Sequence, residues 1–185
     1  MVKYLIIVDM QNDFIDGVLG SAEAQKIVGN VVNKINSGSY DKIFVTLDTH
    51  EDNYLDTHEG KYLPMEHCIS ATYGWLLNKD IRNALKNKDY QIITKNSFGS
   101  RQLISTLQML TIENKGCCEV ELAGVCTDIC VISNALMLRS AYPEIDISVD
   151  ANCCAGTTPE KHEAALAIME SCQINIKGEQ SNDCD

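Results

Sequence analysis

Short, nearly continuous apolar runs alternate along the chain with segments whose apolar residues recur every three or four positions. The runs are too short for helices and are rich in Ile, Val and Leu, which predicts β-strands. The first two are almost wholly apolar, as expected for parallel strands that are covered on both faces. The predicted strands are residues 4–8, 43–47, 91–94, 120–123 and 145–149, with a weaker sixth at 174–176.

Apolar stripes at helical spacing lie between these strands. A last helix is predicted to begin after Thr158, an N-cap residue followed by proline at the first helical position, and to run through Met169. Alternating strands and helices with right-handed crossovers give a doubly wound α/β fold, with a mainly parallel six-stranded sheet and helices on both faces. The other stripes are residues 27–35, 77–85, 103–110 and 129–136.

One segment and one terminus depart from this alternation. Residues 48–75 hold no sustained period, and a loop of that length in a compact domain is usually functional. Neither a repeat nor a linker divides the chain, so we expect one domain over residues 1–177. Residues 178–185 form a polar tail that we expect to be disordered.

The charge balance narrows the partners. The 15 basic and 26 acidic residues give a net charge of −11, which repels phosphate backbones and anionic lipid. We therefore expect no nucleic acid and no membrane among the partners. No apolar run reaches the length of a bilayer span, and Asp9 comes too early for an export signal, so we expect a soluble, cytoplasmic protein. Its nine cysteines, without any CxxC pair, are then mostly reduced thiols that pack as small apolar groups.

Reactive side chains follow most of the predicted strands. In open α/β sheets, ligands bind outside the carboxyl ends of the strands, so several of these side chains should meet at one rim. Aspartates or a lysine close four strands, and two cysteines follow the fourth strand: Asp9, Asp48, Lys95, Asp150, Cys126 and Cys130.

Cys130 is the strongest candidate nucleophile among the thiols. With Thr127 or Asp128 as N-cap, it lies in the first turn of a helix, where unpaired N–H groups and the helix dipole stabilise a thiolate. A nearby Lys95 would lower the thiol pKa further, and Asp9 could accept the proton during attack.

Simpler interpretations of these residues stay open. Cys130 could be a buried, inert cysteine, and Cys126 in the turn itself is a rival thiol. A carboxylate such as Asp9 commonly satisfies turn amides, and Lys95 could be a solvated lysine.

Three of the four histidines, His50, His58 and His67, lie in the 48–75 segment. Together with Asp48 and Glu59, imidazoles of one loop can close around zinc, iron or manganese. The alternative is a set of solvated loop residues. The fourth histidine, His162, lies on the last helix and is interpreted as structural. Four aromatic residues near these segments could wall a pocket for a flat ring, or simply pack in the core: Phe14, Tyr54, Tyr73 and Trp75.

The order and spacing of these motifs resemble the isochorismatase-like cysteine hydrolases, and within them the nicotinamidases. The resemblance covers about residues 3–176. It is carried by residues 8–14 (VDMQNDF), 48–50 (DTH), 95–98 (KNSF), 124–130 (GVCTDIC) and 150–155 (DANCCA), the last followed by the helix of His162.

This resemblance implies a catalytic triad of Asp9, Lys95 and Cys130. It also implies a non-proline cis peptide bond between Val125 and Cys126, which would turn the amides of Cys126 and Cys130 inward as an oxyanion hole. The implied reaction is hydrolysis of nicotinamide to nicotinic acid and ammonia through a thioester on Cys130, with a small amide as the substrate.

The resemblance also implies a divalent metal ion near the triad, zinc first, with iron or manganese as alternatives. The matching ligands are Asp48, His50, Glu59 and His67, with His58 competing for the position of Glu59. Related nicotinamidases often carry a glycine-rich turn after the last metal histidine, whereas this chain has residues 69–75 (ISATYGW), so its pocket wall is expected to differ.

Two other functions remain open. A different cysteine amidohydrolase of the same superfamily would act on an N-carbamoyl or ureido compound. A non-catalytic metal or redox-sensing protein would use the same fold and its thiols as sensors. Isochorismate hydrolysis is disfavoured, because enzymes of that specificity lack the nucleophilic cysteine. Relatives commonly form dimers or larger assemblies, so a homo-oligomer is compatible with the resemblance.

Overall fold

A computed structural model describes residues 1–114 and 117–178, without the side chains of residues 111–113. The predicted polar tail beyond Gly178 lies outside the described residues. Six strands form one sheet in the order β3-β2-β1-β4-β5-β6, and every neighbouring pair is parallel. The predicted doubly wound α/β fold is confirmed. The strands are β1 Val2–Val8, β2 Lys42–Asp48, β3 Tyr90–Lys95, β4 Cys118–Val125, β5 Asp146–Ala155 and β6 Asn175–Lys177.

Helices cover both faces of this sheet. Alternate residues of β1 point to opposite sides, with Ile6 in the core under α5, α6 and α7, and Ile7 in the core under α1, α2 and α4. Thr158 caps α7 by accepting a hydrogen bond from the Lys161 N–H, with Pro159 at the first helical position, as predicted. The helices are α1 Asn12–Ile15, α2 Ala22–Ser37, α3 His58–Tyr62, α4 Lys79–Leu85, α5 Arg101–Glu113, α6 Ile132–Ala141 and α7 Pro159–Ser171.

The strand order reverses direction at β1, with β2 on one side and β4 on the other. Such a switch point opens a crevice between the carboxyl ends of the two strands. Gly124 lets these ends approach closely, since its φ is +129° and a Cβ there would lie 2.1 Å from the carbonyl oxygen of Val8. The residues that follow β1 and β4 therefore face the same crevice.

The expectation that Asp150 closes the fifth strand is wrong. β5 continues to Ala155, past an irregularity in its pairing with β4 between Leu122 and Gly124. Asp150 therefore lies within the strand, where its carboxylate is 2.6 Å from Nζ of Lys34 on α2.

The 48–75 segment contains a 3₁₀ turn, Tyr54–Asp56, and the short helix α3, which are too brief to show as a sequence period. Thr57 caps α3 by accepting a hydrogen bond from the Gly60 N–H. Within the described part of the chain, no helix has both the length and the apolar character needed to cross a bilayer.

Candidate active site

Asp9 is the first residue after β1 and is completely buried. Its φ of 49° is in the left-handed region, which aspartate tolerates better than most residues. Oδ1 accepts a hydrogen bond from Oγ1 of Thr46 at 2.7 Å, and the Asp9 N–H donates to the carbonyl of Thr46 at 3.2 Å. Two contacts to β2 thus fix both the backbone and the carboxylate.

Lys95 is the last residue of β3, and its ammonium group joins three other candidate residues. Nζ lies 2.7 Å from Oδ2 of Asp9, 3.3 Å from Oδ1 of Asp48 and 3.5 Å from Sγ of Cys130. Burial alone would lower the pKa of Lys95, but the charges of Asp9, of Cys130 when it is a thiolate, and of Asp48 raise it above its ordinary value. The amine is therefore a permanent cation at the centre of the site.

Cys130 lies in a single π-helical turn, Thr127–Val131, that leads into α6. The structure contains the cis peptide bond between Val125 and Cys126. The N-cap position belongs to Cys126, so the expectation that Thr127 or Asp128 caps this helix is wrong. Their side chains are engaged elsewhere, Thr127 with Nδ1 of His162 at 2.8 Å and Asp128 with Thr157.

Lys95 lowers the pKa of the Cys130 thiol, as expected, but burial outweighs this effect. Burial raises the pKa of Cys130 well above its ordinary value, the charge of Asp9 adds to this effect, and Lys95 opposes it. The thiol therefore stays protonated until a base removes the proton. Burial also raises the pKa of the Asp9 carboxyl, against the effect of Lys95. Lys95 thus contacts both the thiol of Cys130 and the carboxylate of Asp9, which accepts a proton more readily than an ordinary aspartate does.

The rival thiol, Cys126, lacks this arrangement. It is half-buried, and burial raises its pKa to about 12. The ammonium contact of Lys95 goes to the sulfur of Cys130.

A second cluster adjoins the first through Asp48. One ligand atom from each of Asp48, His50, Glu59 and His67 lies within 4.8 Å of all the others. Oδ2 of Asp48 is 3.1 Å from Nε2 of His50 and 3.6 Å from Nε2 of His67. Oε1 of Glu59 is 3.9 Å and 3.8 Å from the same two nitrogens. Two imidazoles and two carboxylates form a donor set that fits zinc, iron or manganese.

Neighbouring groups orient these donors. Nδ1 of His67 lies 2.9 Å from the carbonyl oxygen of Met65, so it carries the proton and leaves Nε2 free to bind a metal. His58 is exposed, its ring 5.0 Å from that of Tyr62, and does not join the cluster. Of the two rivals for this position, the structure brings Glu59 to the cluster.

The four aromatic candidates separate into two groups. Tyr54 is fully buried against both histidines, 4.7 Å from His50 and 5.0 Å from His67 between ring centroids, and Phe14 lies 5.6 Å from His67. Trp75 is half-buried and donates from Nε1 to Oγ1 of Thr49, whereas Tyr73 is 74% exposed. Phe14 and Tyr54 therefore pack directly against the cluster, and Tyr73 does not enclose it.

The sequence analysis missed a set of contacts that we call the Gln11–Asp13 clamp, comprising the side chains of Gln11 and Asp13. Nε2 of Gln11 donates to the carbonyls of Asp48 at 2.8 Å and Trp75 at 2.9 Å, and its Oε1 accepts from the Asp48 N–H at 2.7 Å. Oδ2 of Asp13 accepts from the Cys68 N–H at 2.8 Å. The signal was present as a run of polar residues directly after a buried strand, where side chains must bond to backbone.

The sheet topology and these two clusters define a class of α/β proteins. In this class an aspartate, a lysine and a cysteine meet beside a set of side chains that can bind a metal ion. The chain belongs to the isochorismatase family, since the isochorismatase domain model matches residues 3–179.

The individual relatives narrow the comparison to nicotinamidases. The chain is 28% identical to a nicotinamidase of Schizosaccharomyces pombe, over 95% of this chain and 93% of that protein. It also resembles the crystal structure of a nicotinamidase from Bacillus subtilis, with 27% identity, a TM-score of 0.78, and coverage of 96% of this chain and 99% of the other. A pyrazinamidase from Pyrococcus horikoshii, solved with zinc, shows 26% identity and a TM-score of 0.76 over 95% and 98% of the two chains.

Proposed function

We propose that this chain is a metal-assisted cysteine amidohydrolase that converts nicotinamide to nicotinic acid and ammonia through a thioester on Cys130. One observation carries the proposal: Nζ of Lys95 touches Asp9, Cys130 and Asp48 at once, which joins the nucleophile, its base and the metal-type cluster. The similarity to nicotinamidases over nearly the whole chain supports the substrate.

The first half of the reaction forms the thioester. Asp9 takes the proton of the Cys130 thiol, and the sulfur attacks the carboxamide carbon. The oxygen of the tetrahedral intermediate accepts hydrogen bonds from the amides of Cys126 and Cys130, each contributing about 3–4 kcal/mol to the transition state. Asp9 then returns its proton to the departing nitrogen, which leaves as ammonia.

The second half of the reaction uses the same residues. Asp9 takes a proton from water, the hydroxide attacks the thioester carbonyl, and the sulfur leaves and regains its proton. Lys95 holds the carboxylate of Asp9 beside the thiol through both halves, because its positive charge contacts both groups.

Asp48, His50, Glu59 and His67 would hold a divalent metal ion, most simply zinc, which the pyrazinamidase of P. horikoshii also binds. When bound, such an ion supplies a Lewis acid that can hold the pyridine nitrogen of the substrate. Phe14 and Tyr54 keep the histidines of this cluster in place by edge-on ring contacts.

The charge of the 48–75 segment, which contains the four metal-type donors, favours a neutral amide as substrate over an N-carbamoyl amino acid. The 48–75 segment has six acidic residues and one basic residue, Lys61. A bound metal ion would offset the charges of Asp48 and Glu59, but four other acidic residues remain: Glu51, Asp52, Asp56 and Glu66. These would repel a substrate with its own carboxylate, whereas nicotinamide carries no charge.

An ammonia-release screen of small amides, run with and without a chelator, tests the proposal. We expect nicotinamide to be the best substrate, loss of turnover with chelator, and recovery on adding zinc. Preference for an ureido compound would establish the other amidohydrolase function. If no amide releases ammonia and Cys130 is alkylated no faster than the other thiols, the result would favour the non-catalytic sensor function over the enzyme.

We place the activity in the cytoplasm, since the described cysteines are all free thiols.

A further inference from the structure

Asn134 lies one helical turn after Cys130 on α6 and is completely buried. Its amide makes three hydrogen bonds. Oδ1 accepts from the Ser100 N–H at 2.9 Å, and Nδ2 donates to the carbonyls of Cys130 at 2.8 Å and Phe98 at 3.2 Å. Both ends of one small polar group are thus engaged in the protein interior.

These bonds join the turn that carries the nucleophile to the loop that follows the strand of Lys95. Phe98 and Ser100 belong to the loop that leads from Lys95 at the end of β3 to the start of α5. The same loop lies against the next turn of α6, since a Cβ on Gly99 would lie 2.3 Å from Sδ of Met137. The Asn134 amide therefore attaches the loop after Lys95 to the backbone of Cys130.

Only a residue that both donates and accepts at this position can make all three bonds. Aspartate keeps the acceptor for Ser100 but has no N–H for the two carbonyls, and leucine, which has a similar volume, has neither. The aspartate variant would therefore lose two of the three hydrogen bonds, and the leucine variant would lose all three.

We propose that Asn134 is a positioning residue for amide hydrolysis, which sets the place of the Cys130 sulfur relative to the Lys95 ammonium. This inference rests on the proposed function, because it assumes that Cys130 is the nucleophile. Its effect should fall on the chemical step, since a displacement of about 1 Å at a reacting group can cost about 100-fold in rate. None of the three hydrogen bonds of Asn134 goes to a metal-type donor, so zinc affinity should change little.

The test compares N134D and N134L with N114D. Asn114, at the end of α5, also uses its side-chain amide internally, donating to Oη of Tyr4 at 2.9 Å and to the carbonyl of Leu110 at 2.7 Å, but it is remote from the site. N134S, which keeps a small group able to donate or accept, stands in if either variant fails to fold. For each folded variant we would measure kcat and KM for ammonia release, the rate of Cys130 alkylation by iodoacetamide through peptide mapping, zinc affinity, and Tm.

We expect kcat to fall about 10- to 100-fold in N134D and further in N134L, with an altered Cys130 alkylation rate and with KM and zinc affinity within about twofold of the parent. N114D should lower Tm without changing kcat. Folded Asn134 variants with the parent kcat, or an equal loss of kcat in N114D, would overturn the inference. C130A separates the two proposals: an active C130A protein refutes the proposed function itself, whereas an inactive C130A protein with normal Asn134 variants refutes this inference alone.

Discussion

Asp9 and Lys95 stand at the ends of strands that hydrogen bonds align over their whole length, whereas Glu59 and His67 stand on a segment outside the sheet. The first group owes its geometry to the backbone, because the register of β1, β2 and β3 decides where each strand ends. The second group owes its geometry to contacts outside the sheet. The Gln11–Asp13 clamp and backbone hydrogen bonds from the N–H groups of Asn12 and Asp13 attach the segment and its C-terminal flank to the turn after β1. Asp9 and Lys95 are thus positioned by the sheet itself, whereas Glu59 and His67 are positioned by contacts between their segment and the sheet.

This difference predicts that the two halves can be broken separately. Changes in the strand-end residues should abolish chemistry and spare metal binding. Changes in the loop should weaken metal binding and spare the reactivity of the thiol. Asp48 connects the halves, since it closes β2, contacts Lys95 and also belongs to the metal-type cluster.

The largest expected effect comes from Asp9→Asn. The amide keeps the shape of the side chain but cannot accept the proton of Cys130, so kcat should fall by about 10³-fold. Steady-state ammonia release measures this loss, and zinc titration should give nearly the parent affinity. A kcat within tenfold of the parent would remove Asp9 from the mechanism.

The converse change is His67→Ala, which removes a side chain of the metal-type cluster and leaves the strand-end residues intact. Losing a ligand should weaken zinc binding by more than about 100-fold, since even outer-sphere partners of metal ligands are worth 10- to 100-fold. Competition with a fluorescent chelator measures the affinity. Iodoacetamide should still alkylate Cys130 at close to the parent rate. A strong drop in that rate would show that the halves are not separable.

A smaller effect is expected from Gln11→Met, which removes the clamp on Asp48 and Trp75 but keeps an unbranched side chain. Zinc affinity should fall about tenfold, because the ligand loop loses its support. Gln25→Met, at an exposed position on α2, is the matched control and should bind zinc like the parent. Equal affinities in both variants would show that the clamp does not position the metal site.

The smallest effect concerns the loop backbone at Ala71, whose φ is +63°. Glycine adopts this left-handed conformation without the penalty that an L-residue pays, but it loses more entropy on folding, so Ala71→Gly should raise the free energy of unfolding by about 0.5–1 kcal/mol. Urea denaturation measures the change. Ala84→Gly, inside α4, should lower the same quantity by about 1 kcal/mol. A loss of stability in Ala71→Gly would contradict the assigned backbone conformation.

How far the sequence predicts this molecule follows from the same contrast. Strand ends are predictable because apolar runs mark the strands, and parallel topology then gathers Asp9, Lys95 and Cys130 at one rim. The prediction for Asp150 was wrong because β5 continues through an irregularity that no apolar pattern marks. The raised pKa of Cys130 was missed because burial depends on packing from distant segments. The roles of Gln11 and Asn134 were missed for a related reason, since each acts through backbone groups far along the chain.

The most direct test of the proposed chemistry is the identity of the atom that holds the acyl group during turnover. Acid quench of the zinc-loaded protein within the first turnover of nicotinamide, followed by peptide mass spectrometry, should find a nicotinoyl thioester on Cys130, and the adduct should be absent from the Cys130→Ala protein. Turnover of nicotinamide without an adduct on Cys130, and with full activity in Cys130→Ala, would contradict the account.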